Sequence, residues 1–175
     1  RPVTVKAETL FVQRAGRKIR ACGYSVQIDG YASPDRTVFS EHITESGIVD
    51  MSYQQEPDTQ IFAVRADGQI ACATYDAEQE VNAWGRWITD GAFESVATIP
   101  TATGNQTYVI VRRTINGVTK RYVEYFDPSL KTDCATTLTA GSPATVWAGL
   151  AHLEGKTVKV VADGVYQGEK VVAAG

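Results

Sequence analysis

Histidine, cysteine and carboxylate side chains supply most enzyme chemistry, and here they are few and scattered. His42 and His152 are the only histidines, so neither a histidine-based triad nor a histidine-rich metal centre has enough members. The segment Glu41-His42-Ile43-Thr44-Glu45 only superficially resembles a ligand spacing, and a histidine packed beside a short helix explains it better. Asp76, Glu78 and Glu80 follow Tyr75, and Glu78 and Glu80 would share one face of a strand. A glycosidase holds two carboxylates about 5–10 Å apart in a cleft. On a polar loop the same pair is solvated charge, the commoner case. Asp67, Asp90 and Asp163 each precede glycine, so turn geometry accounts for them. Nucleophile-elbow, phosphate-loop and zinc-protease signatures are missing from the chain. The reading is of a protein that is not an enzyme, with no catalytic, cofactor-binding or metal-binding residue assigned and no cofactor expected.

Binding chemistry has better candidates. Arg112-Arg113 and Lys120-Arg121 straddle Asn116-Gly117, a dipeptide suited to a tight hairpin. Cross-strand pairing with Glu124 or Glu94 explains them simply; a contact between subunits is the sharper reading. Arg112, Arg113, Lys120 and Arg121 are therefore the candidate interface. Arg14, Arg17, Lys18 and Arg20 read as the charged flanks of a hairpin at Ala15-Gly16, so sequence-specific nucleic-acid binding is not expected. Tyr31, Tyr53, Tyr75, Trp84, Trp87, Tyr122 and Tyr125 lie in strand-like runs, where an exposed subset could stack on a glycan. Asn105-Gln106-Thr107 matches a glycosylation sequon, which carries meaning only in a secreted chain. Cys22, Cys72 and Cys134 are odd in number and far apart; the first two read as small buried hydrophobes.

The elements that must position these residues are strands. Of the 175 residues 43% are hydrophobic, an ordinary globular value, and the formal net charge is −3. The sparse, odd cysteines favour assembly in the cytosol, and with no apolar run long enough to span a bilayer as a helix and no signal peptide evident, neither secretion nor a membrane partner is expected. Opening on Arg1-Pro2 and closing on Lys-Val-Val-Ala-Ala-Gly, the chain reads as a piece of a longer polypeptide. Thr9–Arg14 and Lys18–Ser25 pair around Gly16, with a short Val26–Ile28 strand after them. Ser33 or Asp35 caps one short helix over 36–44, whose Val38, Phe39, His42 and Ile43 share a face.

From Ser46 to Asp127, β-branched and aromatic runs alternate with Asp67-Gly68, Asp90-Gly91 and Asn116-Gly117, an antiparallel meander. It divides into sets of about 40–45 residues, the length of a four-stranded propeller blade. Trp84 and Trp87 stand near the end of the first set, where a blade buries large aromatics. A Thr-, Ala- and Ser-rich join follows Pro128. The expectation is an all-β chain: residues 1–130 form a meander of two to three propeller blades with one short helix, and 131–175 a small β-barrel-like domain.

The wording of several segments resembles tailed-bacteriophage proteins. Among them are Phe11-Val-Gln-Arg, Asp35-Arg-Thr-Val-Phe-Ser-Glu-His-Ile43, Gly47-Ile-Val-Asp-Met-Ser-Tyr-Gln-Gln-Glu-Pro57 and Val64-Arg-Ala-Asp-Gly68. Asp90-Gly-Ala-Phe-Glu-Ser-Val-Ala97 and Val111-Arg-Arg-Thr-Ile-Asn-Gly117 continue the likeness, which covers 1–127; the stretch from Trp147 to Val172 is similar to the small β-domain that follows. These segments most resemble the tail nozzle, or tail tubular protein B, family of short-tailed phages and prophages. The resemblance implies a virion tail component built of propeller blades with a barrel-like insertion, ringed around the DNA exit channel and assembled in the bacterial host cytoplasm. Its partners would be other tail or portal proteins and, in full-length form, further copies of itself. A host-surface or glycan-binding module of such a particle is the alternative. A polysaccharide hydrolase using Glu78 and Glu80 is a third reading.

Overall fold

The computed structural model describes residues 1–130 and 132–173. They divide into two compact units, one of residues 1–112 and 121–133, the other of residues 113–120 with those from 134 on. The first unit holds two antiparallel sheets and most of a third. Sheet one runs β1 (Val3–Val5), β2 (Glu8–Val12), β3 (Ile19–Ser25), β4 (Gly30–Ala32) in that order. Sheet two is β5 (Ile48–Gln54), β6 (Gln60–Arg65), β7 (Ile70–Asp76), β8 (Val81–Trp87), again in chain order. Sheet three has the order β11 (Val118–Tyr125), β10 (Gly104–Ile115), β9 (Ala92–Thr101).

Sheet two is the middle of the unit, and its sequence shows why. Side chains alternate across a strand, so a sheet covered on both faces needs near-continuous apolar runs. Gln-Ile-Phe-Ala-Val-Arg and Ile-Ala-Cys-Ala-Thr-Tyr are such runs. Ile61, Ala63, Ala71, Ala73 and Tyr75 form one core with Val5, Leu10, Ile19, Ala21, Ile43 and Met51. Phe62, Val64, Ile70 and Cys72 turn the other way and form a second core with Phe93, Val96, Val109 and Val111. Phe126 stacks on Phe62 with centroids 5.1 Å apart and closes that second core. The pairing Ile61↔Ala73↔Trp84 sets the register across β6, β7 and β8.

The second unit consists of the tip of the β10–β11 hairpin, a 3₁₀ turn at Ala151–Leu153, and one ribbon of β12 (Thr157–Ala162) with β13 (Val165–Val171). Among its described residues only Arg113, Ile115 and Val172 are buried.

The all-β character is present, but among the described residues the sheets are four open antiparallel ones, and neither propeller blades around an axis nor a barrel is formed. Closure needs the first and last strands of a sheet to pair, or the first and last sheets to meet around a ring. Here β1, β4, β5, β8, β9 and β11 all remain sheet edges, and a two-stranded ribbon cannot close on itself. The helix is also shorter than expected: α1 is Glu41–Thr44, its N-cap is Ser40, and Val38 and Phe39 are exposed rather than on a packed face. Asp35 caps no helix. It accepts from the Thr37 amide at 2.8 Å, pinning a turn instead. Residues 26–28 are a turn, not a strand, leading to Asp29 at φ 46°. Trp84 is half-buried against the first core, whereas Trp87 is exposed at 38% and packs edge-on to Phe62 and Phe126.

Candidate interaction surface

Sheet three is fastened to sheet two by polar groups as well as by the second core. Asp50 Oδ2 accepts from Ser95 Oγ at 2.9 Å and from the Val96 amide at 3.1 Å. Below it, Ser52 Oγ donates to Thr98 Oγ1, Thr98 meets Thr107 Oγ1, and Thr107 donates to Gln54 Oε1, each at 2.9 Å. Thr107 has one proton and gives it to Gln54, so Thr98 must donate to Thr107 and the chain of hydroxyls has one direction. Asn105 Oδ1 accepts from the Gln55 and Glu56 amides at 3.0 Å each, so the sequon asparagine ties two turns together. The Gly68 carbonyl accepts from the Phe93 amide at 2.8 Å.

With its inner face spent in this way, sheet three turns an apolar face outward. Val109 and Val111 are buried, so Tyr108 and Ile110 between them point away from the core. Ile99, Val123 and Tyr125 join that outer face, and the rings of Tyr108 and Tyr125 sit 6.0 Å apart. Ser95, Val96, Ala97, Tyr108, Val109, Ile110 and Val123 line a shallow dimple there of about 90 Å³.

One edge of this face is charged. The β9–β10 register slips between Ile110 and Val111, pairing Ile110 with Ser95 and Val111 with Phe93, so Glu94 is the extra residue of a bulge. Its Oε2 accepts from Arg121 Nε at 2.6 Å and its Oε1 from Arg112 Nε at 3.1 Å. The Arg121 hydrogen bond, reinforced by both guanidinium charges, outweighs partial desolvation and holds the Glu94 carboxyl below the usual range. One carboxylate thus serves two guanidiniums.

The four basic residues of the candidate interface therefore separate. Arg112 and Arg121 converge on Glu94 in the first unit, while Arg113, buried, and Lys120, exposed, belong to the second. The apolar outer face beside Arg112 was not singled out by sequence reasoning. The alternation of Val109 and Val111 with Tyr108 and Ile110 is ambiguous until one face is known to be covered.

The remaining candidates take structural places. Glu78 and Glu80 lie in the turn between β7 and β8 rather than on one strand face, and Glu78 and Asp76 share Lys6 at 3.3 and 3.2 Å. His42 and His152 are exposed. Lys18 is shared by Asp35 at 3.0 Å and Glu41 at 2.9 Å. The Tyr75 hydroxyl donates to Glu8, which pairs with Arg36 at 2.7 Å; burial first, then the Glu8 bond, pushes the Tyr75 hydroxyl well up. Tyr53 is half-buried beside the first core, Tyr122 is half-buried, and Tyr31 and Tyr125 are exposed. Cys22 is half-buried, Cys134 exposed and Cys72 buried, with burial pushing the Cys72 thiol up to about 12. Among the described residues no His, Cys, Asp and Glu cluster could hold a metal ion, and no helix is long and apolar enough to cross a membrane.

Fold and surface together define an all-β protein of open, face-packed antiparallel sheets with an uncovered apolar face edged by a shared ion cluster. No family model matches the sequence, and no curated protein is significantly similar to it.

Proposed function

We propose that this chain is a non-enzymatic structural module of a tailed-phage or prophage particle that works by packing against other protein surfaces, its own copies among them. The observation that supports an assembly role is the outer face of sheet three, where Ile99, Ile110, Val123 and Tyr125 stand exposed together beside Glu94, Arg112 and Arg121. A contiguous apolar face with a charged rim is the anatomy of a protein interface, and a monomer rarely leaves one bare. The phage assignment rests on the resemblance of residues 1–127 to tail proteins, and from it follow a place in the virion tail and portal or tail neighbours. Antibodies raised against the chain and applied to purified particles in electron microscopy test this. Label concentrated at the tail is expected; particles that carry none would refute the assignment. Exposed Tyr24 and Tyr31, rings 5.9 Å apart and edge-on, favour glycan capture as a second reading. Glycan-array binding abolished by Tyr31→Ala would favour it over assembly.

A further inference from the structure

We propose that Asn116 is a site of spontaneous covalent modification: the Gly117 amide nitrogen closes on the Asn116 side chain, and the isoaspartate that results undoes the tip of the β10–β11 hairpin. The site is independent of what the chain assembles with. The chain has three asparagines, and their surroundings differ. Asn82, in β8, donates from Nδ2 to the Arg36 carbonyl at 2.7 Å and accepts at Oδ1 from Trp84 Nε1 at 2.9 Å. Asn105, in β10, holds the Gln55 and Glu56 amides on Oδ1 at 3.0 Å each. Asn116 is exposed at the hairpin tip, and among the described residues its side chain has no hydrogen-bond partner. It is also the one asparagine that precedes glycine.

Asn116 has φ 49° and Gly117 φ 74°, the paired positive values of a type I′ turn. Thr114 and Thr119 face each other across it, hydroxyls 2.8 Å apart, so the loop itself is these two residues. A Cβ on Gly117 would meet nothing within 4 Å, so solvent surrounds the reacting atoms. Among the described residues the Gly117 amide donates to no backbone carbonyl outside the strand ladder, whereas the Gly68 amide is held by the Arg65 carbonyl at 3.0 Å. At Asp67 both carboxylate oxygens are taken as well, by the Arg65 guanidinium at 2.7 Å and the Gln69 amide at 3.2 Å. An ionised carboxylate also resists a nucleophile, which a neutral amide does not. The Gly117 nitrogen gives its proton to solvent and bonds to Asn116 Cγ, a five-membered closure between atoms already held together by the chain. The Cγ–Nδ2 bond breaks, and ammonia leaves with a proton taken back from solvent. Water then opens the ring. Breaking the new bond to Cγ leaves aspartate; breaking the bond to the main-chain carbonyl carbon leaves isoaspartate, with the chain running through Cβ and Cγ. One water enters, one ammonia leaves, and nothing is oxidised.

Isoaspartate adds one methylene to the main chain of a turn whose length sets the strand register. That tip carries the Thr114–Thr119 hydroxyl pair and the buried Ile115 of the second unit. Ageing the purified chain in warm, mildly alkaline buffer, followed by peptide mass spectrometry, tests the site. The Asn116 peptide should gain the mass of an amide turned acid and become a substrate for an isoaspartyl methyltransferase. Asn82 and Asn105 must each give up two hydrogen bonds first, so they should react roughly 30-fold more slowly. In the modified chain, amide exchange at residues 114–119 should rise roughly tenfold, the loss of about one net hydrogen bond. Asn116→Gly keeps the positive φ and should age unchanged. Freshly made Asn116→Asp adds the charge without the methylene and should exchange like the parent. Asn116 reacting no faster than Asn82 or Asn105, isoaspartate formed with unchanged exchange at the tip, or a fresh Asn116→Asp chain that exchanges like the aged parent would overturn the proposal.

Discussion

Replacing Thr107 by valine keeps the shape of a fully buried side chain and deletes one hydroxyl. That hydroxyl is the third link in the directed chain Ser52, Thr98, Thr107, Gln54. Its loss removes two hydrogen bonds and strands two groups, the Thr98 proton and Gln54 Oε1. A stranded buried partner costs about 1–3 kcal/mol. Thr98 is half-buried and can turn toward water, whereas Gln54 is buried and has only a weak 3.4 Å contact from its amide nitrogen to the Asp58 carbonyl. Most of the cost therefore falls on Gln54, and Thr107→Val should destabilise the first unit by about 2 kcal/mol, a fall in Tm of roughly 5–10 °C. Thr107→Ser, which keeps the hydroxyl and loses one methyl, should cost about 1 kcal/mol. Urea unfolding followed by the fluorescence of Trp84 and Trp87 reads both. The two substitutions reversed in order, or Thr107→Val within about 0.5 kcal/mol of the parent, would show that the hydroxyl chain does not hold sheet three to sheet two.

Three other outcomes follow from single sites. Gly68 has φ 79°, and a Cβ there would lie 2.6 Å from Ala92 Cβ, so Gly68→Ala should cost about 2–4 kcal/mol in the same assay; an unchanged midpoint would mean the turn moves aside freely. Cys72, with its thiol pushed up to about 12 by burial, should resist maleimide at pH 8 while exposed Cys134 labels quickly; prompt labelling of Cys72 in peptide mass spectra would refute the packing of the second core. Burial alone would raise the Asp35 carboxyl, but the Thr37 amide and hydroxyl and the Lys18 ammonium outweigh it and hold it below the ordinary value. Its stabilising contribution is then present above about pH 4 and lost as pH falls through the depressed value. Asp35→Asn should accordingly be less stable than the parent at pH 6 and converge with it in acid; a gap independent of pH would contradict the ion pairing.

Much of the strand content was legible, for local reasons. Asp67-Gly68 and Asn116-Gly117 end strands because their backbones adopt positive φ there, at Gly68 and at both Asn116 and Gly117. The runs of β6 and β7 are apolar at successive positions, a pattern consistent with burial on both faces. The short helix misled because Val38 and Phe39 lie at helical spacing from His42 and Ile43, yet the Asp35–Thr37 turn captures the backbone before a helix can start. Blade-length spacing misled in a similar way. It sets how many strands a sheet has and says nothing of whether sheets meet around a ring.

At the surface, Arg112 and Arg121 stood out as basic residues around a hairpin, and Glu94 was named as one of two acidic partners. That Glu94 serves both depends on a bulge, which arises from pairing across two strands and has no mark in either strand alone. Sequence by itself determined the antiparallel strands and turns of this protein, because alternation and positive-φ dipeptides act over a few residues. Which face of sheet three is covered, whether any sheet closes, and what stands beside Arg112 were decided only by tertiary structure. Each depends on pairing and packing between residues far apart in the chain, where many arrangements satisfy the same local pattern.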